Sequence, residues 1–178
     1  TSIIGRMAGS DSIQIADAAT GAVKTLVRES DLMQLLANDK NEMGWLNSLL
    51  WSPDDALIAI AIAWSNGSAV LALDSTTGEV RARWQWSWTR TWLPDSAWSP
   101  DTRNRQLVVQ TAPDSAQRNQ LGILNVASSQ YTLMEGQAAS WSPDGKWLAA
   151  AQEPSGLALI TAHLNAVRWL DTPNCTLV

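Results

Sequence analysis

Few residues of this chain could carry catalytic chemistry. It holds one histidine, His163, and one cysteine, Cys175. A hydrolytic triad needs nucleophile, base and orienting acid brought together, and no Gly-x-Ser-x-Gly elbow marks a nucleophilic serine. His163 falls near an expected strand link, where a lone imidazole suits a hydrogen-bonded loop role. Cys175 lies in the tail after Pro173 and Asn174, without the histidine-rich partner that a catalytic thiol requires. A single cysteine also excludes an internal disulfide. No Cys/His cluster has zinc spacing, and no glycine-rich run forms a phosphate loop. Asp54, Asp101 and Asp144 are oxygen donors of the kind calcium takes. Isolated turn aspartates, however, serve mainly as backbone caps. The expectation is a chain without catalytic residues, cofactor or metal. Asn66-Gly67-Ser68 and Asn174-Cys175-Thr176 match the glycosylation sequon, about as often as chance gives it.

Binding chemistry is better represented. In Trp84-Gln85-Trp86-Ser87-Trp88-Thr89-Arg90-Thr91-Trp92, three tryptophans alternate strictly. On a strand, Trp84, Trp86 and Trp88 share one face, while Arg83, Gln85, Ser87 and Thr89 take the other. One reading is a core between sheets, with Trp filling the space of phenylalanine, which the chain lacks altogether. The other is an exposed aromatic strip that meets a partner protein, a sugar chain or a lipid surface, since aromatics and Arg dominate contact hot spots. Arg90, between Trp88 and Trp92, would stack on an indole face. Trp86, Trp88, Arg90 and Trp92 are therefore candidate contact residues. A second candidate is the stretch 28–45, where Glu29 to Ala37 reads as a short helix capped by Ser30 or Asp31. Leu32, Leu35 and Leu36 recur there at helical spacing as one apolar stripe. That stripe either packs on its own sheet or docks a partner from a rim, where binding loops concentrate on a rigid frame.

The elements that position these residues follow from a repeat. Trp-Ser-Pro-Asp occurs at 51–54, 98–101 and 141–144, with starts 47 and 43 residues apart. A period in the forties marks a repeat architecture. Pro fixes its own φ and drives the preceding Ser to an extended conformation. Pro-Asp then suits the middle of a tight turn that a glycine at positive φ closes. Only the third copy has that glycine, Gly145; Asp55 and Thr102 stand in the others, so those turns are expected to close differently or less tightly. An apolar run suited to an inner strand follows each turn, at 56–63, 106–111 and 146–152. Further strands are expected at 69–73 and 79–84, at 121–125 and 130–134, and at 157–161 and 166–170. Strands and turn signals at this regular spacing argue for an all-β design. The N-terminal stretch fits a first unit without its Trp-Ser-Pro-Asp, since Asp17-Ala18-Ala19-Thr20-Gly21 mirrors Asp74-Ser75-Thr76-Thr77-Gly78. The units fall at about 1–45, 46–92, 93–136 and 137–178, with 28–45 as an insertion.

Trp141-Ser142-Pro143-Asp144-Gly145-Lys146-Trp147-Leu148-Ala149, with the Asp-x-x-Thr-Gly turns, resembles the WD40-like β-propeller repeat of the TolB type. Prolyl-oligopeptidase-type peptidases carry similar propellers. The resemblance covers nearly the whole chain and implies a propeller of about four blades of antiparallel strands. Such propellers usually have six to eight blades. Three arrangements follow: a small closed ring, a segment of a longer propeller, or closure with another chain. The absent initial Met and abrupt first strand favour a fragment or processed chain.

Composition narrows the function classes. The net charge of −5 argues against nucleic acid, whose binding rests on Lys and Arg. The longest apolar stretch, 56–63, is too short to cross a bilayer as a helix. The leading expectation is a non-enzymatic protein-interaction scaffold, with the resemblance leaning toward a bacterial envelope or extracytoplasmic setting. The alternatives are an accessory propeller of a serine peptidase and a small-ligand or carbohydrate binder using the tryptophan strip.

Overall fold

β5 shows how this sequence makes a blade. Its residues Leu57–Trp64 alternate Leu-Ile-Ala-Ile-Ala-Ile-Ala-Trp, and every one is buried. A strand buried on both faces lies inside its sheet, between two layers. Leu57, Ala59 and Ala61 face one core and Ile58, Ile60, Ile62 and Trp64 the other. The small face admits the neighbouring sheet closely, and the branched face fills a wider gap. Each buried isoleucine contributes about 1.5–3 kcal/mol relative to exposure.

The computed structural model describes residues 2–5, 12–36, 45–87, 89–113, 119–152, 156–161, 167–171 and 176–177. The chain has a β-propeller-type fold of four antiparallel sheets. The first sheet contains β1 (Ser2–Gly5), β2 (Ser12–Asp17) and β3 (Val23–Arg28), followed by α1 (Glu29–Leu35). The second is β4 (Trp45–Trp51), β5, β6 (Gly67–Asp74) and β7 (Val80–Ser87), in that order. In the third, β8 (Thr89–Trp92), β9 (Gln106–Pro113), β10 (Gln120–Asn125) and β11 (Tyr131–Glu135) are successive neighbours. The fourth runs β12 (Ala138–Trp141), β13 (Trp147–Gln152), β14 (Gly156–Thr161), β15 (Val167–Asp171) and β16 (Thr176–Leu177). One core joins the second, third and fourth sheets through Ala59, Trp84, Val108, Leu121 and Leu148. The other joins the first and second through Ile13, Leu26, α1 and the isoleucines of β5.

Four details differ from the sequence reading. The run after each Trp-Ser-Pro-Asp is the second strand of its sheet, because β4 and β12 precede the turn and occupy the sheet edge. β4 escaped detection because polar Asn47 and Ser48 interrupt its alternation and its register shifts between Leu46 and Ser48. The third sheet begins at Thr89 rather than after Trp92, since β8 pairs with β9. Arg28, extended and without a side-chain cap bond, precedes α1, so the helix grows straight out of β3 instead of starting at Ser30 or Asp31. Finally, the first turn closes as the third does. Ser52 Oγ donates to Asp54 Oδ1 at 2.7 Å and accepts from Leu57 N–H at 2.9 Å; Ser142, Asp144 and Trp147 repeat both distances. Asp55 takes φ +56° where Gly145 takes +68°. Only the second turn differs. Trp98 bridges Leu107, nine residues on, whereas Trp51 pairs with Ile58 and Trp141 with Leu148, seven on.

The repeated tryptophans lock sheet to sheet. Trp98 Nε1 donates to Leu50 O at 3.4 Å and Trp141 Nε1 to Ala97 O at 3.0 Å. Each acceptor immediately precedes the tryptophan of the previous copy. Trp51 Nε1, the first of the series, is buried with no hydrogen-bond partner among the described residues.

Candidate functional site

The strands run to and fro between two rims. One carries the Trp-Ser-Pro-Asp and Asp-x-x-Thr-Gly turns, and its aspartates are occupied by capping. Asp74 Oδ1 accepts the Thr76 and Thr77 N–H groups at 2.9 and 3.0 Å, and its other oxygen meets Arg81 at 2.9 Å. Asp17 accepts from Ala19 and Thr20 in the same way. Arg81 and the two backbone donors hold the Asp74 carboxyl far below its ordinary range. Thr20 and Ala19 lower Asp17, and Ser142 and Lys146 N–H lower Asp144. At Asp54 burial opposes ionisation, but Ser52, Ala56 N–H and Arg105 outweigh it. Among the described residues, no group of three or more His, Cys, Asp or Glu is placed to hold a metal. This rim is turn architecture.

The opposite rim holds a cleft of about 480 Å³ between the second and third sheets. It is lined by Trp45 at the start of β4, Trp64 and Ser65 at the end of β5, and Arg90 and Trp92 of β8, with Asn47 beside them. Trp45 is 62% exposed, Trp64 is buried and Trp92 half-buried. Gly67 makes room for this arrangement. A Cβ there would stand 2.6 Å from Trp86 O and 2.9 Å from the Trp64 ring, so any side chain would drive the indole away. β8 is stitched to the second sheet by side chains. Ser68 Oγ donates to Thr89 O at 2.7 Å, and Asn47 Nδ2 donates to Thr91 O at 3.3 Å. Ser48 Oγ accepts from Leu93 N–H and donates to Leu93 O. Arg90 is exposed and carries the charge among the described residues of the lining.

The anticipated contact residues divide. Arg90 and Trp92 line the cleft. Trp86 is half-buried against the core and meets Tyr131 edge-on, with ring centroids 5.9 Å apart. Trp84 is buried on the same face, and its Nε1 donates to Ser129 O at 3.0 Å. The Trp84–Trp86 face is therefore a contact between sheets, not an exposed strip. Trp88 lies outside the described residues, as do His163 and Cys175. Leu32 and Leu36, at 3% and 0% exposure, belong to the core between the first and second sheets. A helix leaving β3 directly has no course but across that sheet, so these leucines form no docking stripe. Leu35 closes the helix, and its side chain lies outside the described residues. The cleft also uses Trp45, Trp64 and Asn47, which sequence reasoning passed over. The available signal was an aromatic at each strand end facing the Ser65-Asn66-Gly67 turn.

No protein-family model matches the sequence, and no curated protein matches it significantly. Solved structures do resemble the fold. An uncharacterized protein of Listeria monocytogenes EGD-e matches over 98% of this chain and 48% of its own, at 12% identity and a TM-score of 0.63. Hydrazine synthase of Kuenenia stuttgartiensis matches over 85% of this chain and 46% of its own, at 13% identity and a TM-score of 0.56. A chain of the mitotic checkpoint complex matches over 99% and 59%, at 13% identity and a TM-score of 0.53. The chain thus spans about half the length of the proteins it matches. What it shares with them is the β-propeller fold.

Proposed function

We propose that the chain is a non-enzymatic protein-interaction scaffold, part of a larger propeller with TolB-type repeats, whose contact surface is the tryptophan-lined rim cleft. The observation that carries this reading is the cleft itself: a 62%-exposed Trp45, a half-buried Trp92 and Arg90 meet on a rim braced by two buried cores. Trp and Arg dominate protein-contact hot spots, and exposed large aromatics on a rigid frame suit recognition. The length of the matched proteins supports the view of a segment, since this chain spans about half of each.

Photo-crosslinking from position 45 in the producing cell tests the proposal. A discrete protein adduct from position 45, absent when the probe replaces Asp144 on the opposite rim, is the expected result. Equal labelling from both rims, or none from position 45, would overturn it.

A further inference from the structure

Resting on the view that the chain is part of a larger propeller, and independently of the cleft, we infer that the first sheet takes an incoming strand. That strand comes from the remainder of the propeller, lies antiparallel to β1 and turns one of its carbonyls to Trp51 Nε1. The repeat locates its place. The turn at 17–21 joins β2 to β3 as the turn at 74–78 joins β6 to β7, with the same backbone bonds from Gly21 to Asp17 and from Gly78 to Asp74. β2 and β3 thus match β6 and β7, and β1 matches β5. Among the described residues the first sheet has no counterpart of β4, β8 and β12, the strands that lead the other three. β1 therefore ends its ladder, and the outer row of backbone groups on an end strand is the usual template for an added one.

Two features of β4 point to the same place. Trp98 and Trp141 each donate Nε1 to the carbonyl just ahead of the previous copy's tryptophan. By that rule Trp51 Nε1 donates to the leading strand of the first sheet, and among the described residues it is buried with no acceptor. A buried N–H without an acceptor is costly, so the geometry calls for one. The apolar side chains agree. Leu46, Leu49 and Trp51 stand opposite Ile62, Ile60 and Ile58 of β5. All six belong to the core between the first and second sheets. The isoleucines are at most 5% exposed, yet the three side chains on β4 are only partly buried. An added strand completes all of this at once: its main chain extends the β1 ladder, one carbonyl meets the indole, and its inward side chains cover Leu49 and Trp51. A helix bonds its backbone groups within itself and offers no such row. The leading strands place Leu50, Ala97 or Ser140 ahead of the tryptophan, so the occupant carries a small or apolar residue there.

The test adds to the whole chain a blocked, unlabelled peptide copying residues 136–144, the leading strand of the fourth sheet with its turn. Two N-methylated versions run alongside, modified at alternate residues, so that one loses the N–H groups facing β1 and the other those facing away. Binding is followed by nuclear magnetic resonance of the chain's isotope-labelled indole N–H groups, with Trp51 assigned by its loss in Trp51→Phe. The unmodified peptide is expected to bind saturably, move the Trp51 signal downfield and slow its exchange with water. Trp86, whose buried Nε1 also lacks a partner among the described residues, should stay in place. One N-methylated version should bind like the parent and the other about tenfold more weakly or worse. Trp51→Phe should weaken binding of the parent about three- to tenfold. No saturable binding, equal binding of the two N-methylated versions, or binding that leaves Trp51 unmoved would each overturn the inference. Photo-crosslinking from position 45 reads the cleft alone. An adduct there without peptide binding would leave the scaffold reading standing; with neither, both would fall.

Discussion

Gly145→Ala gives the sharpest measure of how the blades hold one another. Gly145 closes the third Trp-Ser-Pro-Asp turn at φ +68°. A Cβ there would lie 2.7 Å from both the Cβ and the backbone N of Asp101, and 2.9 Å from Ser99 Oγ. Two costs follow. The left-handed backbone costs an alanine about 1–2 kcal/mol. The contact adds overpacking of about 1–3 kcal/mol, because backbone of the preceding turn must retreat. For a chain of 178 residues, a loss near 3 kcal/mol lowers the melting temperature by roughly 6–12 °C. Gly21 is the control. It has φ +71° and nothing within 4 Å of a Cβ, so Gly21→Ala meets only the backbone cost. The difference between the two variants, read by thermal and urea unfolding followed by circular dichroism, isolates the turn-to-turn contact. Equal losses would refute the idea that successive turns nest at this position.

Two further substitutions or conditions probe the rest of the frame. Leu36→Ala removes a fully buried side chain between the first and second sheets and should cost about 2–5 kcal/mol in urea unfolding; a loss under about 1 kcal/mol would mean that α1 only decorates the rim. Asp17, Asp54, Asp74 and Asp144 all ionise more readily folded than unfolded. The stability they supply is therefore present above about pH 4 and lost as pH falls through their depressed folded values. Melting temperatures should drop from about pH 5 downward, and Asp74→Asn should flatten that slope; an identical slope in the variant would rule out its carboxylate as a contributor.

Where the repeat was strict, the sequence was legible to within a residue or two. Trp51, Trp98 and Trp141 announced the turns, and the apolar run 56–63 announced β5. The turns themselves deceived, because Asp55 adopts the left-handed conformation that its type tolerates. Glycine was therefore no guide to which turn was tight. β4 hid behind Asn47 and Ser48, whose side chains bond to Thr91 of β8 and to Leu93 just past it, partners remote in sequence and absent from any local pattern. The tryptophan run misled in a comparable way. Alternation placed Trp84 and Trp86 on one face, but whether that face meets solvent or Tyr131 depends on the next sheet.

The two rims differ for the same reason. On the turn rim, Ser, Pro, Asp and Gly recur with the period, and each satisfies the backbone of its own turn or touches the turn before. Its chemistry is spent on folding, since the aspartates that looked like ligands are caps with lowered pKa values. The cleft rim keeps that period only in part. Trp45, Trp64, Arg90 and Trp92 come from three strands of two sheets; Trp45 and Trp92 each stand six residues ahead of a Trp-Ser-Pro-Asp, where the third copy has Glu135, and Trp64 and Arg90 have no counterpart in the other copies. Positions that a repeat leaves unconstrained are those free to be shaped for a ligand, and departures from local rules concentrate at functional sites. That Trp45, the most exposed aromatic among the described residues, stands beside the unrepeated Trp64 and Arg90 is the physical ground for seeking the partner at this rim.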